Sequence, residues 1–418
     1  MSREDYRNLG ISDETVDRAE RSERRVRAVF ERIEAVREHN QLRVLQAMRN
    51  ARISESSFGG STGYGYDDRS RDALEAAYAE VFGTEAALVR PQITAGTQAI
   101  TLGLFGVLRP GDLLLSVTGK PYDTLDSVIG PSEGATAGSL ADFGVRFRRL
   151  ELLPEGGIDL DGVERAASDR PRMIYVQKSR GYSDRRSLRN EEIGALVARL
   201  RAGGSDAVVF VDNCYGEFAE GEEPGAVGAD LMAGSLIKNP GGGICPTGGY
   251  VAGRKDLVEQ AAARLTAPGL GAHVGPTLGL SRLMTQGLFL APHAVAECLK
   301  GAVFTAAFFE DSGLSADPGP FDPRGDIVQT LVLGDEARLV RFCRAVQAMS
   351  PVDSFVSPEP WAMPGYADPV VMAAGTFIQG ASLELSADGP VRPPYRAHMQ
   401  GGLVYEQVKA AAMLAVSA

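Results

Sequence analysis

Between residues 72 and 212, short apolar runs alternate with stretches of helical period. Strand-like runs fall at residues 86–90, 113–117, 145–150, 173–177 and 207–212. Helix-like stretches fall at 72–82, 94–108, 160–167 and 190–201. Each apolar run is too short for a helix and too continuous for a half-exposed strand. Runs of that kind, separated by helices, specify a mostly parallel sheet with right-handed crossovers and helices on both faces. Glycine and proline turns such as Pro110-Gly111 punctuate the alternation.

The two ends of the chain read differently. Residues 1–60 form a charged, helical N-terminal arm. Val26, Val29, Phe30, Ile33 and Val36 recur at three- and four-residue spacing, and Leu42, Val44, Leu45 and Met48 continue on a second helix. Residues 61–299 form the large α/β domain. Residues 300–418 form a smaller α+β C-terminal domain, with helices expected at 299–310, 337–349 and 404–415, a strand at 326–333 and a strand pair at 376–385. A chain of 418 residues suits this multi-domain division.

Charge and cysteine usage narrow the function classes. A net charge of −11 argues against nucleic acid or an anionic membrane as partner. No unbroken run of about 18 apolar residues suggests a membrane span, and the start MSREDYRNLG lacks the apolar core of a signal peptide. Cys214, Cys245, Cys298 and Cys343 form no CxxC pair, and His39, His273, His293 and His398 show no ligand spacing. The expectation is a cytoplasmic protein with reduced thiols and no metal site.

One stretch carries an unusual amine. In GSLIKNPGGGICPTGGYVAG, Lys238 stands among small, uncharged residues. Burial there would depress its pKa and leave a neutral amine able to attack a carbonyl, such as the aldehyde of pyridoxal 5'-phosphate (PLP). A surface lysine at the start of a loop is the alternative. Three upstream pieces fit the same cofactor. Thr94 to Gln98 precede a helix, and Gly96, Thr97 and Gln98 offer amides and side chains to a phosphate, or form an ordinary cap. Tyr122 follows the next strand and could stack on a planar ring, or be a plain loop tyrosine. Asp212 ends a buried strand, where a protonated pyridine nitrogen would balance its charge, or where it caps the next turn. Neither a GxxxxGK[ST] loop nor a GxGxxG after a strand is present, which argues against a generic nucleotide-binding protein.

Seven blocks carry a resemblance: GYGYDDRSRDALE, PQITAGTQAI, GKPYDTL, QKSRGYSDRRSL, VDNCYGEF, SLIKNPGGGICPTGGYVAG and SLELSADGPVRPPY. In that order they resemble the fold-type-I PLP-dependent enzymes of Cys/Met metabolism, in the methionine γ-lyase-like or aluminium resistance branch. The resemblance implies that Lys238 carries PLP and shuttles protons, and that Asp212 holds the pyridine nitrogen. It implies that Gly96, Thr97 and Ser235 hold the phosphate, and that Tyr122 stacks on the ring and acts as general acid. It implies too that Tyr64 or Tyr66 reaches the phosphate of a neighbouring subunit in a homodimer or dimer of dimers.

The resemblance has two gaps. Where related γ-lyases have Arg-Leu-Ser to hold the substrate carboxylate, this chain has Glu384-Leu385-Ser386. The clamp then falls to Arg392, Arg180 or Arg396, by bidentate geometry. The Asn-Pro pair that contacts the ring oxygen is replaced by Gln177, Ser179, Arg180 and Tyr182. The expected activity is a carbon–sulfur lyase that eliminates the γ-substituent of a sulfur amino acid to give thiol, ammonia and a 2-oxo acid. A β-lyase, a γ-replacement enzyme, a lyase on a modified amino acid and a PLP-fold binding or regulatory protein with little turnover are the alternatives.

Overall fold

The computed structural model describes residues 3–130, 136–181, 183–362 and 368–417. It divides into two compact units, Asn40–Phe289 and Met1–His39 with Leu290–Ala418. The first 39 residues thus belong with the C-terminal part of the chain.

The larger unit is built on a seven-stranded sheet: β1 (Ala86–Arg90), β2 (Leu113–Ser116), β3 (Arg146–Arg149), β4 (Met173–Gln177), β5 (Val208–Asp212), β6 (Leu231–Ser235) and β7 (Gly249–Gly253). The strand order is β1-β7-β6-β5-β4-β2-β3. Strands β2 to β6 pair in parallel, and β7 runs antiparallel to both β1 and β6. Every residue of β4, β5, β6 and β7 is buried, which is why these strands read as continuous apolar runs. The edge strand β3 has the sequence RFRR and stays largely exposed. Its arginines discourage pairing with another sheet edge. This is the fold-type-I α/β architecture, with the helices Gly96–Val107 and Lys255–Leu265 contributing to one core with the sheet.

The parallel strands finish level with one another. Gln177 at the end of β4 pairs with Asp212 at the end of β5, and Asp212 pairs with Ala233 of β6, two residues before Ser235. Three polar side chains therefore emerge at the carboxyl ends of adjacent central strands, the usual ligand position in such sheets.

The other unit holds a five-stranded antiparallel sheet of β8 (Ser315–Asp317), β9 (Gln329–Val332), β10 (Val370–Ala373), β11 (Ser386–Pro390) and β12 (Arg396–Gln400). Its order is β10-β11-β12-β9-β8. Phe304, Phe308, Phe309, Phe342 and Leu331 lie in its core. The expected strand pair at 376–385 is not formed; β10 and β11 flank that segment instead. Glu384 explains the difference. Its carboxylate accepts the amides of Phe377 and Ile378 at 2.9 and 2.8 Å, which diverts those groups from any ladder and folds the segment into a loop.

The N-terminal half-helices expected to be separate form one helix, Arg27–Asn50. Nothing between Val36 and Leu42 breaks the backbone, and Asn40 turns its side-chain amide outward to the Glu220 carbonyl at 2.9 Å. The long helix Ser281–Glu310 begins well before the expected residue 299. By length and composition alone it could cross a membrane, but 72% of its most apolar window is buried inside the protein.

Asp68 anchors the loop that precedes the first large-unit helix. It caps Arg69–Phe82 by accepting the Ser70 and Arg71 amides at 2.9 and 3.0 Å, and it accepts the hydroxyls of Thr277, at 2.7 Å, and Ser61. Burial works against its charge, yet these donors hold its carboxyl below the usual range. A depressed acid stabilises the fold above its ordinary pKa, and that contribution is lost as pH falls through the depressed value. Asp68→Ala should lose about 2 kcal/mol at neutral pH in urea melts, and the gap from the parent should narrow towards acid.

Candidate active site

The lysine turn is held from several sides. Lys238 follows β6, and its amide donates to Ser235 O at 3.3 Å. Asn239 Nδ2 donates to the Glu217 carbonyl at 2.8 Å, and Tyr78 Oη donates to the Pro240 carbonyl at 3.0 Å. A Cβ on Gly241 would stand 1.6 Å from Leu236 O, so this turn closes only around glycine. The glycine-rich composition is thus a close-packing requirement here. The Lys238 side chain keeps partial solvent access, and its Nζ lies 4.1 Å from the centroid of the Tyr215 ring.

Asp212 is buried at the end of β5. Its Oδ1 accepts the Cys214 amide at 3.1 Å and its Oδ2 accepts the Tyr175 hydroxyl at 3.2 Å. Burial raises its pKa, opposed by the charge of Lys238 and by these hydrogen bonds. For Lys238, burial works against the charge, but Cys214, Tyr215, Asp212 and Tyr122 outweigh it and raise the amine above its ordinary value. Burial likewise pushes the Cys214 thiol well up. The neutral amine expected from burial alone is therefore corrected. With no cofactor bound, a neighbouring carboxylate keeps Lys238 an ammonium.

Gly96 opens the helix Gly96–Val107 beside these groups. A Cβ there would lie 3.0 Å from Cys214 Sγ and 3.5 Å from Ser235 Cβ, which puts the helix start against the end of β6. The first helical hydrogen bond runs from Ala99 to Ala95, so the amides of Gly96, Thr97 and Gln98 precede it and point outward. Thr97 Oγ1 lies 2.9 Å from Thr124 Oγ1. Gln98 turns its side-chain oxygen back to the Thr94 amide and hydroxyl at 2.8 and 2.9 Å, and so ties the first turn of the helix to the residue before its N-cap. Tyr122 sits in the loop after β2, where its amide donates to Gln177 Oε1 at 2.7 Å.

The remaining residues fall into two groups. Arg180 is buried just after β4, and its carbonyl accepts the Ser183 hydroxyl at 2.5 Å. Tyr182 lies outside the described residues. Arg392 belongs to the other unit, is exposed, and pairs with Asp368 at 3.2 Å; Arg396 opens β12 there. Tyr64 and Tyr66 are exposed and stack on one another, with centroids 5.5 Å apart. Their loop is stiff: the Gly275 amide donates to Tyr64 O at 2.9 Å, and Arg71 donates to Gly65 O at 2.7 Å.

Three residues beside the amine and the carboxylate are not marked by the sequence, Tyr175, Tyr215 and Glu217, while Gln177, named for its place near the ring oxygen, anchors the Tyr122 loop. Tyr175 and Tyr215 look like ordinary core residues in MIYVQ and DNCYGEF. Only the fold turns one hydroxyl and one ring towards Asp212 and Lys238.

The residues present suit PLP. A glycine cradle with outward amides fits a phosphate. A buried carboxylate at a strand end fits a protonated pyridine nitrogen, and an amine beside it fits an aldehyde.

Behind the site lies a layer of buried acids. Glu217 Oε1 accepts the Tyr250 hydroxyl at 2.8 Å, and Glu223 accepts the Phe218 amide at 2.8 Å and Asn213 Nδ2 at 2.9 Å. Fully buried Lys178 stands 3.0 Å from Glu220. Burial raises the Glu217 carboxyl to about 8 against an ordinary 4.5. A raised acid contributes stability that is fully present below its ordinary pKa and is lost as pH rises through the raised value. Glu217→Gln keeps the acceptor for Tyr250 and removes the titration. In urea melts from pH 5 to 9, the parent should lose stability relative to the variant as pH climbs towards 8 and beyond. Parallel profiles would show that Glu217 titrates as an ordinary acid.

The comparisons with known proteins bear on the family. The family model for methionine gamma-lyase matches residues 15–418. YnbB of Bacillus subtilis (strain 168) is 51% identical over 391 residues, covering 94% of this chain and 93% of that protein. A carbon-sulfur lyase involved in aluminum resistance from Clostridium novyi NT has a solved structure with TM-score 0.95 and 46% identity, covering 99% of this chain and 98% of that one. The L-methionine gamma-lyase of Pseudomonas putida is 29% identical over 231 residues, covering 54% of this chain and 48% of that protein. Over nearly its whole length, the chain belongs to the methionine γ-lyase family of PLP-dependent enzymes.

Proposed function

We propose that this protein is a carbon–sulfur lyase that eliminates the γ-substituent of a sulfur amino acid to give a thiol, ammonia and a 2-oxo acid. One observation carries the reading. The amine of Lys238, the carboxylate of Asp212 and the Gly96–Ser235 cradle meet at adjacent strand ends of one unit.

PLP, when bound, supplies an electron sink for the carbanion character that develops at the substrate Cα. The protein's own residues supply the rest. Lys238 takes the Cα proton once it has been freed of its own, passes it on, and then takes a proton from Cβ, whose electron pair expels the γ-substituent. The Cys214 amide and the Tyr175 hydroxyl both donate to Asp212 and so favour its negative form, which would favour a protonated ring nitrogen. Gly96, Thr97 and Ser235 hold the phosphate. Tyr122 covers the ring and delivers a proton to the departing sulfur, so that the C–S bond breaks to a neutral thiol. Water then releases ammonia and the 2-oxo acid.

Arg180 holds the substrate carboxylate in this reading. It lies in the same unit as Lys238, in the loop after β4, whereas Arg392 is exposed and committed to Asp368. The exposed, stacked Tyr64–Tyr66 pair on its stiff loop reaches the phosphate of a second subunit, so the working form is a homo-oligomer with shared sites. The reaction takes place in the cytoplasm.

Borohydride reduction of PLP-loaded protein should fix the cofactor to the peptide containing Lys238, and Lys238→Ala should abolish the label. Label on another lysine, or none, would sink the assignment. Assays with methionine, homocysteine, cystathionine and cysteine should release thiol, ammonia and 2-oxobutanoate from a γ-substrate. Pyruvate would point to β-elimination, and spectral change without product to a binding protein. Arg180→Lys keeps the charge but loses the fork, and should raise KM by about 10- to 100-fold with little loss of kcat, as for a charge-assisted hydrogen bond of roughly 1.5–3 kcal/mol. Arg392→Ala should leave KM unchanged.

A further inference from the structure

The ring of Tyr215 lies against the amine on which the proposed function depends, with Lys238 Nζ 4.1 Å from its centroid. Tyr215 is buried and follows the end of β5 by three residues. Its φ of +68° lies in the left-handed region, where a bulky side chain is uncommon and strained. Phe218, three residues on, has φ +60°. The turn that carries them is held throughout: the Cys214 amide donates to Asp212, the Gly216 amide to Asn213 O at 2.8 Å, and the Phe218 amide to Glu223 at 2.8 Å. A Cβ on Gly216 would sit 2.8 Å from both Lys178 Cδ and Asn213 Oδ1, so the residue next to the tyrosine is closely packed and must be glycine.

A glycine would satisfy that backbone without strain. A tyrosine there brings a ring, and the ring lies against the amine. An aromatic face attracts an ammonium through its quadrupole, most strongly where water is scarce. The site needs such a hold, because a lysine released from its covalent partner has four rotatable bonds and must return to the same place.

We propose that Tyr215 is a positioning residue for Lys238, whose ring face seats the free ammonium beside Asp212. The inference rests on Lys238 being the reactive amine of the proposed site. The ring acts alongside the other groups that face this amine: Asp212 and Cys214 from the end of β5, Tyr122 from the loop after β2, and Glu217 from the layer behind.

The test is the titration of the Lys238 amine in cofactor-free protein. Trace acetylation with acetic anhydride across pH, read on the Lys238 peptide by mass spectrometry, gives the profile for the parent, Tyr215→Phe and Tyr215→Leu. The phenylalanine variant should follow the parent, because it keeps the ring face. The leucine variant should titrate roughly 0.5–1.5 pH units lower, the shift expected from a cation–π contact. If the leucine variant does not fold, Tyr215→Gly suits the left-handed backbone and removes the ring equally. A ring-less variant that titrates with the parent would overturn the inference, as would a phenylalanine variant that shifts as far as leucine. Borohydride labelling of the PLP-loaded parent separates the two readings. An unlabelled Lys238 refutes the proposed site itself, while a labelled Lys238 with unchanged profiles refutes only the role of Tyr215.

Discussion

The amine of Lys238 and the carboxylate of Asp212 lie close enough at the end of a seven-stranded sheet to act on one another's charge, and the site depends on that coupling. Burial disfavours the charge of both; Lys238 works against the rise in the Asp212 carboxyl, and Cys214, Tyr215 and Asp212 raise the Lys238 amine. The attraction is useful only if both groups are fixed, since a misplaced buried charge is costly. The structure fixes each separately. Tyr175 and the Cys214 amide hold the two oxygens of Asp212. The Gly241 contact, Tyr78 and Asn239 hold the lysine turn.

The segment from Asp212 to Glu223 does more than end a strand. It buries Asp212, Tyr215, Glu217 and Glu223 within twelve residues. Tyr250 donates to one oxygen of Glu217, and Asn213 and the Phe218 amide donate to Glu223, while Lys178 and Arg189 meet Glu220. A buried polar network of this kind stiffens its surroundings when its members find partners. Here it backs the turn that carries the left-handed Tyr215. The rigidity of the amine's surroundings is thus built one layer below the residues that would touch a ligand.

Glu384 shows how one substitution redirects a site. Related γ-lyases use an arginine at this point to hold a carboxylate. In this chain the acid accepts two amides of its own loop, those of Phe377 and Ile378. A charge that would have bound substrate has become a structural clasp, and the same clasp removes the strand pair expected at 376–385. Buried Arg180, in the loop after β4, lies in the unit that holds the amine.

Much of this was legible in the sequence. The strands β1 to β5 fall within a residue or so of the apolar runs, because a strand covered on both faces admits little but apolar side chains. The ordered blocks around Gly96, Tyr122, Asp212 and Lys238 identified the family, because close turns and a strand-end acid demand particular residue types. Other features were decided by contacts between distant parts of the chain. The charge state of Lys238 depends on Asp212, from which it is separated by a strand. The roles of Tyr175 and Tyr215 depend on where a hydroxyl and a ring point, which an apolar pattern does not encode. The separation of Arg180 from Arg392 depends on burial and on an ion pair with Asp368. The sequence by itself determined the sheet, the family and the cofactor chemistry, since these follow from residue type and local spacing. Only the tertiary structure decided which charges survive, which rings face the amine and what Glu384 does, because each is set by the neighbours that folding brings within a few ångströms.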